Sequence, residues 1–222
     1  MAVDIGFLRE AYFTFDKPVP YKLKCGSILQ IKPVLLEDSM IFTSSYGILD
    51  IDKNLSTEVE VIQMSYLQFL MDRVLPSVEH SKQQLVNICL LCLGFEFPYI
   101  DLNEKGKPIL IDFAQDTESK DIYPRHIITA KEFDDIRKII LYQNLPNFDD
   151  EYINPELKAN MEEYDRLKGK NIVQPTLERR MAIISAHTGI SKAEQNVMTL
   201  RAHSSLFAEV VGEVEFSANK AI

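Results

Sequence analysis

Apolar residues recur at every second position in two stretches of the chain, and each predicts a β-hairpin. Val19, Tyr21 and Leu23 lead into Cys25-Gly26-Ser27, and Leu29 and Ile31 follow on one face before Pro33. Residues 19–34 therefore read as a hairpin in which Gly26 supplies the positive φ of a short turn. Ile100 and Leu102, the turn Asn103-Glu104-Lys105-Gly106-Lys107, and then Ile109, Ile111 and Phe113 make 99–113 a second hairpin with one buried face.

Elsewhere the period is helical. The chain is helical in character from Pro33 through Tyr46, with Gly47 as its stop and Ile51-Asp52-Lys53-Asn54 as a polar joint. From Thr57 onward Ile62, Tyr66, Phe69, Leu70 and Val74 share one stripe, and Pro76 is expected to end that helix. A helix from Ser77 to Leu93 carries Leu85, Ile88, Cys89, Cys92 and Leu93 and ends at Gly94; being apolar all round, it belongs near the centre.

Residues 114–125, rich in Asp, Ser and Lys, read as an exposed connection and a subdomain boundary. Thr129-Ala130-Lys131-Glu132 is a capping box for a helix buried through Phe133, Ile136 and Ile140. Asn154-Pro155 opens another helix, carrying Leu157, Met161, Tyr164 and Leu167, which Lys168-Gly169-Lys170-Asn171 breaks. A helix from Pro175 to His187 ends at Gly189, and Ser191-Lys192-Ala193-Glu194 is a second capping box. Thr199 caps a last helix through Val211, and Val214–Phe216 is expected to be a short strand. The predicted fold class is α+β, mainly α-helical with two β-hairpins. Residues 1–125 form an N-terminal hairpin-and-helix part and 126–222 a C-terminal helical part, packed together as one compact unit.

Composition supports this picture and narrows the function. The apolar fraction of 46% supplies a core, and the charged fraction of 26% covers its surface. The net charge of −9 is uneven: Lys168 onward has seven Lys/Arg against five Asp/Glu, or +2, which leaves −11 on residues 1–167. Such a surface repels nucleic acid and anionic lipid, whose non-specific binding rests on Lys and Arg. Met1-Ala2-Val3-Asp4-Ile5-Gly6 lacks the basic and apolar regions of a secretory signal. The longest apolar run, Ile88–Phe95, is eight residues, far below the ~20 that span a bilayer. A soluble protein is the expectation. Cys25, Cys89 and Cys92, three cysteines in apolar sequence, make no disulfide framework and suit a reducing cytoplasm.

Motifs for chemistry are sparse. No two of the eight glycines lie within ten positions, so no phosphate-cradling loop is present, and His80, His126, His187 and His203 stand singly, with no catalytic role to assign. Cys89 and Cys92 have metal spacing, but structural zinc needs four ligands and these two lie among Ile88, Leu90, Leu91 and Leu93; packing cysteines explain them better. Asp101 through Asp112 imitates a calcium loop yet has Lys at the fifth position, Pro at the eighth and Asp where a bidentate Glu is required. No metal, no cofactor and no catalysis are expected.

Two surfaces are candidates for partner binding. One is the acidic stretch with Asp149, Asp150, Glu151, Glu162 and Glu163; the other is the apolar stripe of Leu206, Phe207, Val210 and Val211. Apolar anchors carry most binding energy whereas exposed charge sets association rate, so the stripe is assigned as the anchor and the acidic surface as steering.

A set of segments in a particular order resembles the tail-morphogenesis proteins of bacteriophages, above all the tail assembly chaperones. It comprises Ile31-Lys32-Pro33-Val34, Leu49-Asp50-Ile51-Asp52-Lys53-Asn54, Met64-Ser65-Tyr66-Leu67-Gln68-Phe69-Leu70 and Phe133–Asn144. It continues with Asn154-Pro155-Glu156-Leu157-Lys158, Thr176-Leu177-Glu178 and His187-Thr188-Gly189-Ile190-Ser191 leading to Met198-Thr199-Leu200-Arg201. The chain departs from the family at Ala202-His203-Ser204-Ser205 and in its ending. The resemblance implies a non-enzymatic protein that binds phage tail proteins: the tape-measure protein, tail tube or baseplate subunits. It would work in the host cytoplasm during assembly and leaves self-association open. The alternative it implies is a subunit retained in the virion tail, baseplate or neck. An enzyme with a site assembled from dispersed residues ranks last.

Overall fold

The computed structural model describes residues 3–145, 148 and 175–220, with side chains described as far as 213. Helices predominate over two small antiparallel sheets, so the fold is α+β and mainly helical. After α1 (Ile5–Ala11), β1 (Val19–Lys22) and β2 (Ile28–Ile31) pair as the first hairpin, with Gly26 at φ 94° in its turn. α2 (Ser39–Ser45) runs into a tight turn over Tyr46–Leu49, so Gly47 lies inside that turn and does not stop the helix.

The stripe from Thr57 onward is two helices, not one. α3 (Val59–Gln63) ends before Ser65, whose hydroxyl accepts from Gln68 N–H and starts α4 at Tyr66. α4 widens into a π-helical turn over Leu70–Val74 and closes with Leu75–Ser77. In the widened turn Leu75 N–H reaches the Leu70 carbonyl, and Pro76 sits in the final turn, one residue before the end. α5 (Ser81–Ile88) starts four residues later than expected, because His80 takes a left-handed conformation at φ 63°, and it widens over Cys89–Leu93 before Gly94 at φ 65°.

β3 (Phe97–Leu102), β4 (Pro108–Gln115) and β5 (Ile122–Thr129) form the second sheet in sequential order. The stretch read as an exposed connection thus contains the start of a third strand. Two features hide it: Pro124, tolerated because β5 is an edge strand, and a bulge opposite Asp112/Phe113 that breaks the period of two. The boundary placed at residue 125 falls within β5.

α6 (Ala130–Asn144) is the hub. Its capping box forms as expected, with Glu132 accepting from Thr129 N–H at 2.9 Å, and Phe133, Ile136, Ile139, Ile140 and Leu141 enter the same core as Leu23, Leu29, Ile31, Leu67, Leu70, Ile88 and Cys92. Polar ties fix it to its surroundings. Tyr66 N–H donates to Asp134 Oδ1 at 3.0 Å, Tyr21 Oη donates to Asp135 Oδ2 at 2.9 Å, and the Arg137 guanidinium stacks 4.1 Å above the Tyr66 ring. Asn144, 2% exposed, accepts from Val34 N–H at 2.7 Å and donates to the Ile140 carbonyl at 2.9 Å. Asn144→Ala leaves that buried N–H without a partner and is expected to cost about 1–3 kcal/mol in urea unfolding.

α7 (Leu177–Thr188), α8 (Lys192–Asn196) and α9 (Leu200–Lys220) complete the chain. α7 ends at Gly189 with φ 76°, and α8 begins with the expected capping box. Their junction is tied to the N-terminal half: Leu36 N–H donates to the Met198 carbonyl, Leu200 N–H to the Val34 carbonyl, and Thr199 Oγ1 to Asp16 Oδ1 at 2.5 Å. The strand expected at Val214–Phe216 is the continuation of α9. Alternating Val and Glu favour a strand only beside a partner strand, whereas extending a formed helix adds one hydrogen bond per residue. The helix expected from Asn154-Pro155 and its break at Lys168–Asn171 lie outside the described residues.

Candidate interaction surface

The register of the three-stranded sheet decides which side chains share a face. Phe97 opposes Phe113, which opposes Pro124; Tyr99 opposes Ile111, which opposes Ile127; Gln115 opposes Ile122. All of these stand on one face. The other face carries Ile100, Leu110 and Ile128, and it is this face that packs against the core around α6. Ile109, Ile111 and Phe113, expected to be the buried face of the hairpin, belong instead to the side away from α6, where Ile111 is nonetheless buried. Ile100 pairs with Leu110, which separates it from Ile111 and reverses the assignment.

The outer face is open at its margins and covered at its centre, where Ile111 is 8% exposed, and the exposed Asp101 stands on it opposite Ile109. Phe97 is 55%, Tyr99 57% and Ile122 67% exposed, with the half-buried Phe113 between them. Contiguous apolar area of this kind is unusual on a soluble protein and marks a binding surface. The edge of β5 is covered in part, because the β1–β2 turn sits against it, with Ser27 Oγ 3.0 Å from His126 Nδ1.

An ionic cluster around the buried Asp112 holds the sheet in this attitude. Asp112 is fully buried on the inner face; its Oδ1 accepts from Glu96 N–H at 2.8 Å and from Phe97 N–H at 3.3 Å. Its Oδ2 accepts from Arg125 Nε at 2.7 Å, and Arg125 also donates to the Gly94 carbonyl at 2.9 Å and to Glu96 Oε1 at 3.1 Å. Arg125 is the extra residue of the bulge, so the irregularity delivers its guanidinium to Asp112 and leaves Pro124 opposite Phe113. Because Asp112 grips the amides at the start of β3, it sets where Phe97 points.

The residues nominated from sequence lie elsewhere. Asp149, Asp150, Glu151, Glu162 and Glu163 fall outside the described residues. In the C-terminal stripe Val210 is 4% exposed and belongs to the interior, so it offers a partner no surface. Leu206, Phe207 and Val211 are half-buried, and the Arg180 guanidinium of α7 lies 5.7 Å from the Phe207 ring centre. Amphipathic helices present one stripe to whatever packs on them, and here α7 takes much of it.

Cys89 and Cys92 are fully buried, and desolvation pushes both thiols far up, as befits packing residues. Cys25, in contrast to its apolar sequence context, is exposed at the hairpin turn. His203 is 2% exposed with Nε2 3.3 Å from Gln195 Oε1; burial, helped by Arg180, lowers its pKa and keeps it neutral. In the turn that imitates a calcium loop, Asn103 Oδ1 is occupied by the N–H groups of Lys105 and Lys107. Among the described residues no three metal-ligating side chains converge, and no helix is long and apolar enough to cross a membrane.

The outer face escaped sequence reading because β4 is apolar on both sides. Pro108-Ile109-Leu110-Ile111-Asp112-Phe113-Ala114 is a near-continuous apolar run, the signature of a strand covered on both faces, and the aromatics Phe97 and Tyr99 extend it across β3. Compared with protein-family models, with curated proteins and with solved structures, the chain finds no match.

Proposed function

We propose that this chain is a non-enzymatic, protein-binding component of bacteriophage tail morphogenesis, of the assembly-chaperone kind, and that it holds an apolar segment of the tape-measure protein on the outer face of β3–β5. The observation that carries the binding role is the open row of Phe97, Tyr99 and Ile122 on a sheet whose other face is already packed. The phage assignment comes from the ordered segments between Ile31 and Arg201 that resemble tail-morphogenesis proteins. A chaperone of this kind covers an apolar polypeptide until tail tube subunits assemble around it. Its own net charge of −9 keeps the complex soluble and disfavours contact with nucleic acid.

Affinity-tagged chain recovered from infected cells is expected to bring the tape-measure protein with it, and mass spectrometry of purified particles is expected to find no copies of the chain. A fixed symmetric copy number in particles would replace the chaperone role by that of a retained tail, baseplate or neck subunit. Recovery without any tail protein would refute both.

A further inference from the structure

Cys25, Ser27 and His126 come together from two elements that are 99 residues apart between Ser27 and His126. Cys25 and Ser27 flank Gly26 in the β1–β2 turn, and His126 lies on β5. Ser27 Oγ stands 3.1 Å from Cys25 Sγ and 3.0 Å from His126 Nδ1, which makes the hydroxyl a bridge between a thiol and an imidazole. The imidazole is itself held, stacked on Phe95 with ring centres 6.0 Å apart. Burial, reinforced by Arg125 and opposed by Asp112, lowers the His126 pKa, so the ring is neutral near pH 7, and in its Nε2–H tautomer Nδ1 accepts from the Ser27 hydroxyl.

From this geometry we propose that Cys25 is a selectively reactive thiol, activated by a Ser27-bridged proton path to His126, and that it undergoes exchange with low-molecular-weight disulfides. The thiol proton passes to Ser27 Oγ as the Ser27 proton passes to His126 Nδ1, leaving a thiolate on Cys25 and an imidazolium on His126. The thiolate attacks one sulfur of the disulfide R–S–S–R; the Cys25–S–S–R bond forms, the S–S bond of the reagent breaks, and R–S⁻ leaves and takes up the proton from His126. No electron is left over: Cys25 is oxidised to the mixed disulfide as half of the reagent is reduced to thiol.

The Ser27 hydroxyl stands 3.1 Å from the sulfur, and hydrogen bonding from it and from the backbone of Ile127 and Ser27 favours the ionised form. Burial raises the thiol pKa, but these hydrogen bonds outweigh it and bring the group below its ordinary value, even against the nearby Glu132 carboxylate. The side chains of Lys22 and Lys24 on the same hairpin are exposed, which favours an anionic reagent. Cys89 and Cys92, fully buried in the core, provide the internal contrast of thiols with no access and no donors.

The test is reaction of the full-length folded chain with oxidised glutathione, followed by intact mass and peptide mapping. A single adduct on Cys25 is expected, formed at pH 7 about tenfold or more faster than on N-acetylcysteine. Ser27→Ala is expected to bring the rate to that of the free thiol and Ser27→Thr, which keeps the hydroxyl, to restore it; His126→Gln is expected to slow it as Ser27→Ala does. Thermal unfolding run in parallel identifies any variant that has lost the fold, in which case Cys89 and Cys92 react as well. A Cys25 rate in the unaltered chain equal to that of N-acetylcysteine, or a folded Ser27→Ala variant that reacts as fast as the unaltered chain, would overturn the proposal.

Discussion

Asp112→Ala is expected to be the most damaging single substitution in the sheet, lowering stability by about 2–4 kcal/mol, the cost of leaving buried amides without their acceptor. The carboxylate is fully buried and fills four roles: it accepts from Glu96 N–H, Phe97 N–H and Arg125 Nε, and it pairs with Arg125 Nη2 at 2.6 Å. Its loss leaves the Glu96 and Phe97 amides without an acceptor and Arg125 with only the Gly94 carbonyl and Glu96. Asp112→Asn, which keeps Oδ1 as the acceptor for the Glu96 and Phe97 amides but sets an NH2 donor against the Arg125 guanidinium in place of Oδ2, should cost less than Asp112→Ala and still be clearly destabilising. Urea unfolding of the three proteins measures the order. Equal stability of Asp112→Ala and the unaltered chain would mean that the bulge and the start of β3 do not depend on this cluster.

The second large effect is on binding. Replacing Phe97 and Tyr99 together by Thr is expected to weaken capture of the partner by at least about 30-fold, since buried aromatic anchors each contribute about 2 kcal/mol or more. Stability is expected to change by less than about 1 kcal/mol, because both side chains are more than half exposed and Thr retains a β-branched fit to the strand. The contrast with Val210→Asp is informative. That residue is 4% exposed between helices, so the substitution places a charge in the interior and should unfold the C-terminal helices before any question of binding arises. Affinity by titration calorimetry, with unfolding curves alongside, separates the two classes of variant.

How much of this was legible beforehand depends on where the physics is local. Capping boxes at Thr129 and Ser191, the hairpin turn at Gly26 and the helix stops at Gly94 and Gly189 are decided within a few residues, and the chain adopts each as its spacing predicts. β5 was hidden because its pairing depends on a bulge, and a bulge is visible only against the partner strand. Which face of β4 meets the core is likewise not a property of β4: Ile109, Ile111 and Phe113 alternate as cleanly as Leu110 and Ala114, and the choice falls to where α6 and Asp112 lie. The break at Ser65 reflects a competition that a hydrophobic stripe does not register, since the stripe continues through it while the serine hydroxyl favours a new helix start. Cys25 and His126 meet only because the first hairpin turn lies on the edge of the second sheet.

Hydroxyl-radical footprinting of the chain alone and with the tape-measure protein bound tests the binding face most directly. Phe97, Tyr99 and Phe113 should lose most of their oxidation on complex formation while Phe207 and Leu206 keep theirs. Protection confined to Phe207 and Leu206, with Phe97 and Tyr99 oxidised as in the free protein, would contradict the assignment and return the interface to the C-terminal helix.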